Sequence, residues 1–111
     1  MYDSATEYVT RDSYLEFSGI DLNIELRSSQ SDNPTLQAKT FLKQQQMWLY
    51  NYMTRRYNET KWADDWDDDT FKDALLWQVK HILTEGEDGV LDKTAYIILR
   101  NHAMANPKWI G

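Results

Sequence analysis

An all-α fold is predicted for this chain, and three observations predict it. Three segments repeat apolar residues at spacings of three and four, capping residues, prolines and glycines mark their ends, and no set of strands that could pair is present. The expected architecture is a small bundle of three main helices plus a short N-terminal helix, with one long central helix. With 111 residues the chain reads as one domain (1–111), including an N-terminal arm (1–9) and a C-terminal tail (107–111). A domain of that size buries roughly two thirds of the surface its unfolded chain exposes.

The short helix comes first. Thr10 is its N-cap, Gly19 lies just past its end, and Tyr14, Leu15 and Phe17 are its apolar members. In the following "IDLNIEL" the apolar residues Ile20, Leu22, Ile24 and Leu26 alternate with polar ones, which is a strand period. A lone strand has no partner here, so the segment is expected to be extended or a single turn laid across the helices, with Asp21 capping a turn. "RSSQSDNP" (27–34) is polar and reads as a loop.

Asn33 followed by Pro34 signals the start of the long helix, expected over 34–57, about 36 Å at 1.5 Å per residue. Its stripe is Phe41, Leu42, Gln45, Trp48, Leu49, Tyr52 and Met53, whereas Met47 and Tyr50 fall outside it and should be exposed unless another surface covers them. The third helix should start at Asp69 or Thr70, bury Phe71, Ala74, Leu75, Gln78, Val79, Ile82 and Leu83, carry Leu76 and Trp77 to the side, and stop at Gly86. Asp92 caps the last helix, with Ala95, Ile98, Leu99 and Met104 roughly on one face and "NP" at 106–107 ending it. The long helix exceeds its neighbours, so one end should project or pack against another molecule.

Composition narrows function. Net charge is −6, from 18 acidic and 12 basic side chains, which disfavours binding to nucleic acid through phosphate neutralisation. There is no cysteine, hence no disulfide framework and no thiolate metal site. Neither a signal peptide nor a membrane span is visible, and a soluble protein made inside the cell is the expectation. The 5 Trp, 7 Tyr, 3 Phe and 4 Met are numerous for so short a chain, and these residue types serve cores and protein contacts alike.

"KWADDWDDDTF" (61–71) is the most distinctive stretch. As a calcium loop starting at Asp65 it would place Thr70 where glycine must turn the chain and Leu76 where a bidentate glutamate is needed, so that reading fails. Asp67, Asp68 and Asp69 suit the start of a helix, where unpaired N–H groups favour negative charge. That leaves Trp62, Asp64, Asp65 and Trp66. They are expected either to form a partner contact in which rings are buried and acids pair with Lys or Arg, or to divide between core and solvated face. Arg55 and Arg56 either complement the helix end or pair with acids of a neighbouring copy. Met47, Tyr50 and Trp109 of the tail complete the candidate contact set. His81 and His102 stand singly, without metal-ligand spacing, and no nucleotide-binding glycine loop or nucleophile elbow is present. No enzyme activity, cofactor or metal is expected.

The stretches "YVTRDSYLEFSGIDL", "DNPTLQAKTFLKQQQMWLYNYM" and "FKDALLWQVKHILTEGE", followed by a short closing helix, resemble the head–tail connector, or adaptor, proteins of long-tailed bacteriophages over roughly residues 8–106. The motifs are helix patterns with a few fixed polar residues and carry no catalytic signature. The resemblance implies a structural virion protein made in the host cytoplasm and located in the neck. There it would form a homo-oligomeric ring, expected as a dodecamer, beneath the portal protein. It would extend the DNA channel, which passes DNA without specific binding, and would meet the stopper or tail completion protein; no membrane is involved. Two other classes compete: a small acidic helical inhibitor that mimics DNA and binds a host enzyme, and a metal-dependent enzyme in which His81 or His102 converges with the aspartates.

Overall fold

The computed structural model describes residues 4–25, 34–56, 68–86 and 89–105. Five helices follow one another: α1 (Arg11–Ser18), α2 (Leu22–Glu25), α3 (Pro34–Arg56), α4 (Asp68–Glu85) and α5 (Lys93–Ala105). Among the described residues there is no strand, and the fold is all-α.

α1 forms where capping chemistry places it. The Thr10 hydroxyl accepts from the Ser13 N–H at 3.1 Å while the Ser13 hydroxyl accepts from the Thr10 N–H at 2.9 Å, a reciprocal capping box. At the other end Gly19 adopts φ +76°, and its N–H reaches the Leu15 carbonyl at 2.8 Å. A side chain at that position would be strained, because the left-handed region sets Cβ against the following carbonyl.

The period-two segment is helical for one turn. Asp21 Oδ1 accepts from the Asn23 N–H at 2.9 Å and starts α2, while Arg11 donates to both Asp21 oxygens at 2.8 and 2.7 Å. This fork ties the first turn of α1 to the start of α2. Leu22 is buried and Ile24 exposed, so the single helical turn separates two residues that a strand would place on one face. The Asp21 carboxylate is held below its usual range, first by the Arg11 hydrogen bond, with burial opposing and the Asn23 N–H adding to the effect. A folded value below the unfolded one means the contribution is present above the unfolded value and is lost as pH falls through the folded one. Thermal melts of Asp21→Asn should therefore lie below those of the parent at neutral pH and converge with them below the carboxylate range; a constant gap would contradict the assignment.

α4 lies at the centre. It packs against α5, α3 and α1, and α2 sits between α1 and α3. Phe71, Ala74, Leu75, Gln78 and Val79 are buried as the spacing predicts, and so is Leu76, which was expected at the side. Neighbours on three sides widen the covered arc beyond one stripe. α4 also starts at Asp68, a residue earlier than expected, and α3 ends at Arg56. Ala38, Leu42, Leu49 and Met53 of α3 and Ala95 and Leu99 of α5 complete the core from either side.

The N-terminal arm belongs to this core. Tyr8 and Val9 are buried, and the Tyr8 ring meets the Phe71 ring edge-on at 5.2 Å. Gln46, 2% exposed, holds the arm by its backbone: its Oε1 accepts from the Tyr8 N–H at 3.2 Å and its Nε2 donates to the Thr6 carbonyl at 2.9 Å. Lys43 Nζ adds bonds to the Ser4 and Thr6 carbonyls at 2.6 and 3.2 Å. Residues 4–10 therefore act as a strap across α3 and α4.

Candidate protein-interaction surface

Each predicted contact residue has a definite standing. Met47 is 55% exposed on α3, as its position off the stripe predicts. Tyr50 differs: it is half-buried and packs against the core. The strap explains this, because it widens the covered side of α3 towards Gln46. Arg55 and Arg56 lie in the last turn of α3, but their side chains are outside the described residues. Trp62, Asp64, Asp65, Trp66 and Trp109 also lie outside them.

A second side of α3 is aromatic. Trp48 and Tyr52 stack with centroids 5.8 Å apart and planes at 26°, and both are half-buried, as is Phe41. On α4, the Trp77 ring meets Phe17 in a T-shaped pair with centroids 5.2 Å apart and carries the Lys80 ammonium 5.0 Å from its centroid. The contact joins α1 to α4 and shields the indole face with a cation.

Titratable groups are spread out. His81 Nδ1 lies 3.4 Å from Asp92 Oδ1, and the other Asp92 oxygen accepts from the N–H groups of Thr94 and Ala95 at 2.8 and 3.0 Å. Asp92 therefore caps α5, as the sequence predicts, and the histidine braces the cap. The His102 side chain is outside the described residues. Among the described residues no three His, Cys, Asp or Glu side chains converge as a metal site needs. Nor is any helix among them long and apolar enough to cross a membrane.

The apolar side chains left outside the core are more informative. Leu15, Ile24, Met47, Val90 and Ile97 are exposed among the described residues. Ile97 is 51% exposed on the outer face of α5, one turn from Lys93 and Arg100, both also exposed. The sequence reading passed over this residue. The signal was the unbroken "YIIL" of 96–99, since four consecutive residues of a helix cannot all face one neighbour. Across the molecule, Val9, Ala38 and Leu42 floor a cleft of about 230 Å³ between the strap and α3, bordered by Glu7, Thr10, Arg11, Asp12 and Lys39.

These features define a small all-α protein with apolar side chains outside its own core. No protein-family model, curated protein or solved structure matches the chain.

Proposed function

We propose that the chain is a head–tail connector subunit, which assembles as a ring beneath a bacteriophage portal, extends the DNA channel and offers its far face to the stopper or tail completion protein. The observation that carries this reading is the resemblance of the capped first helix with its "SGIDL" exit, the long "FLKQQQMWLYNYM" helix and the "FKDALLWQVKHILTEGE" helix, in that order, to this class of protein. Two physical features support it. Exposed Ile24, Met47, Val90 and Ile97 are apolar surface of the kind that subunit contacts cover. A net charge of −6 suits a conduit to which passing DNA does not adhere.

Sedimentation at high protein concentration, followed by electron microscopy of the chain mixed with portal rings, tests the reading. A closed ring seated on the portal is expected. A chain that stays monomeric, ignores portals and binds a nuclease would instead be an acidic inhibitor.

Within this reading Trp62 and Trp66, with Asp64 and Asp65, are assigned to a joint between subunits or rings. Replacing both tryptophans by alanine is expected to leave the circular dichroism spectrum near that of the parent and to lower the assembled fraction. Loss of helicity would place the rings in the core instead.

A further inference from the structure

The strap is held differently from the helix it leads into. Two side chains one turn apart on α3 grip its main chain: the single amide of Gln46 donates to the Thr6 carbonyl and accepts from the Tyr8 N–H, and Lys43 donates to the Ser4 and Thr6 carbonyls. Such contacts recognise backbone whatever side chains it carries, and specificity falls to the groups that are fitted into place. Here those are Tyr8, edge-on to Phe71, and Val9, beside Ala38 and Leu42. α1, by contrast, is tied down by bonds of its own. The Thr10–Ser13 capping box and the Tyr14 N–H bond to the Thr10 carbonyl at 2.9 Å close its first turn from within. Arg11 is forked to Asp21, and Phe17 meets Trp77. The two modes of attachment meet at Val9–Thr10, where the cleft of about 230 Å³ opens between strap and α3. Its rim is balanced in charge, Glu7 and Asp12 against Arg11 and Lys39, so main-chain bonds and apolar fit decide what this side of α3 holds.

We infer that α3 and the start of α4 form a peptide-binding trough and that residues 4–9 are its removable occupant, a latch that swings at the Val9–Thr10 joint while α1 stays docked. The ligand class is a short non-helical peptide. An aromatic side chain fills the space beside Phe71, a β-branched one lies over Ala38 and Leu42, and Gln46 and Lys43 hold the backbone. When the latch lifts, the Gln46 amide and the freed main chain pass to water, so no polar group is left buried and unpaired. The opening therefore exposes one ring contact and one apolar patch and leaves the helices packed, the kind of local unit that opens well below the free energy of global unfolding. The inference holds whether or not the chain assembles as a ring.

Hydrogen exchange of the full chain tests the latch at three amides: Tyr8 in the strap, Tyr14 in α1 and Val79 in the middle of α4. The Tyr8 amide should be less protected than that of Tyr14 and about 100-fold less than that of Val79, with little dependence on urea. Lys43→Ala touches neither the Tyr8 N–H nor α1, yet should lower Tyr8 protection about 5-fold and leave Tyr14 and Val79 unchanged. If Tyr8 and Tyr14 exchange through one opening with the same urea slope, strap and α1 move together and there is no latch. The trough is tested with a labelled synthetic peptide of residues 4–10. Weakening the strap in cis raises the open fraction, so the peptide should bind full-length Tyr8→Ala about 10-fold more tightly than the parent chain, and Gln46→Leu added to that variant should abolish binding. Equal binding to parent and Tyr8→Ala, or none to either, would show that the trough is not a peptide site. Loss of the helical spectrum in Tyr8→Ala would make the strap an inseparable part of the core and overturn the inference.

Discussion

Phe71→Ala is expected to lower the unfolding free energy by about 3–5 kcal/mol, in the range for removing a buried aromatic ring. Phe71 is fully buried at the start of α4, where α3 and the strap meet it, and Tyr8 stands edge-on to it at 5.2 Å with the planes at 79°. Truncation therefore removes the ring's own burial and leaves Tyr8 facing a cavity. Small domains are stable by about 5–15 kcal/mol, so the loss is a large share of the total. Urea unfolding of parent and variant should show a shifted midpoint at a similar slope, and a loss under about 1 kcal/mol would mean that the site collapses around the gap. Tyr8→Ala alone should cost less, because Tyr8 is 9% exposed whereas Phe71 is fully buried. The double variant should be less destabilised than the sum of the singles by about 0.5–1.5 kcal/mol, the usual worth of such a ring pair. An additive result would mean that the strap and α4 are held independently.

That coupling also marks how far the fold was legible in the sequence. Helix signals act within a few residues, and those were readable: Thr10 and Gly19 bound α1, Asp92 caps α5, Gly86 follows α4 with φ +68°, and Leu42, Leu49 and Met53 point inward at helical spacing. What local pattern misses is contact between distant parts of the chain. Gln46 is polar and lies off the apolar stripe, yet it is buried because its amide finds two backbone partners 38 and 40 residues away. Tyr50 is half-covered on the same side of the helix. Leu76 is buried because α4 has neighbours on three sides, a fact of topology that its own helix does not record.

The candidate site divides along the same line. An unused apolar side chain such as Met47 is visible from periodicity, since it falls off the stripe that the rest of α3 defines. Ile97 likewise falls off the face that Ala95, Ile98 and Leu99 define by spacing, and it is 51% exposed. The cleft floored by Val9, Ala38 and Leu42 requires the strap to cross α3, and the strap is positioned by Gln46 and Lys43. A surface assembled by long-range hydrogen bonds has no local signature. The buried glutamines are therefore where sequence and architecture meet.

Gln78→Leu is the sharper test of that idea, because it keeps the side chain's approximate bulk and removes only its amide. Gln78 is fully buried in α4; its Nε2 donates to the Val90 carbonyl at 2.8 Å and its Oε1 accepts from the Asp92 N–H at 2.8 Å. The two bonds hold the chain on either side of Leu91 just where α5 begins. Losing them forfeits about 1 kcal/mol each and can strand partly buried backbone groups at a further 1–3 kcal/mol, so a total of about 2–5 kcal/mol is expected. The consequence should reach beyond the loop. Asp92 can cap α5 through the Thr94 and Ala95 N–H groups only while its own backbone is held in place, so those two amides should exchange with solvent faster in Gln78→Leu than amides in the middle of α4. Asp92→Ala removes the cap directly, for about 0.5–2 kcal/mol, and added to Gln78→Leu it should cost less than it does alone. If leucine leaves stability and the exchange of those amides unchanged, the corner is set by packing of Leu91 and Ala95, and the amide is an incidental passenger in the core.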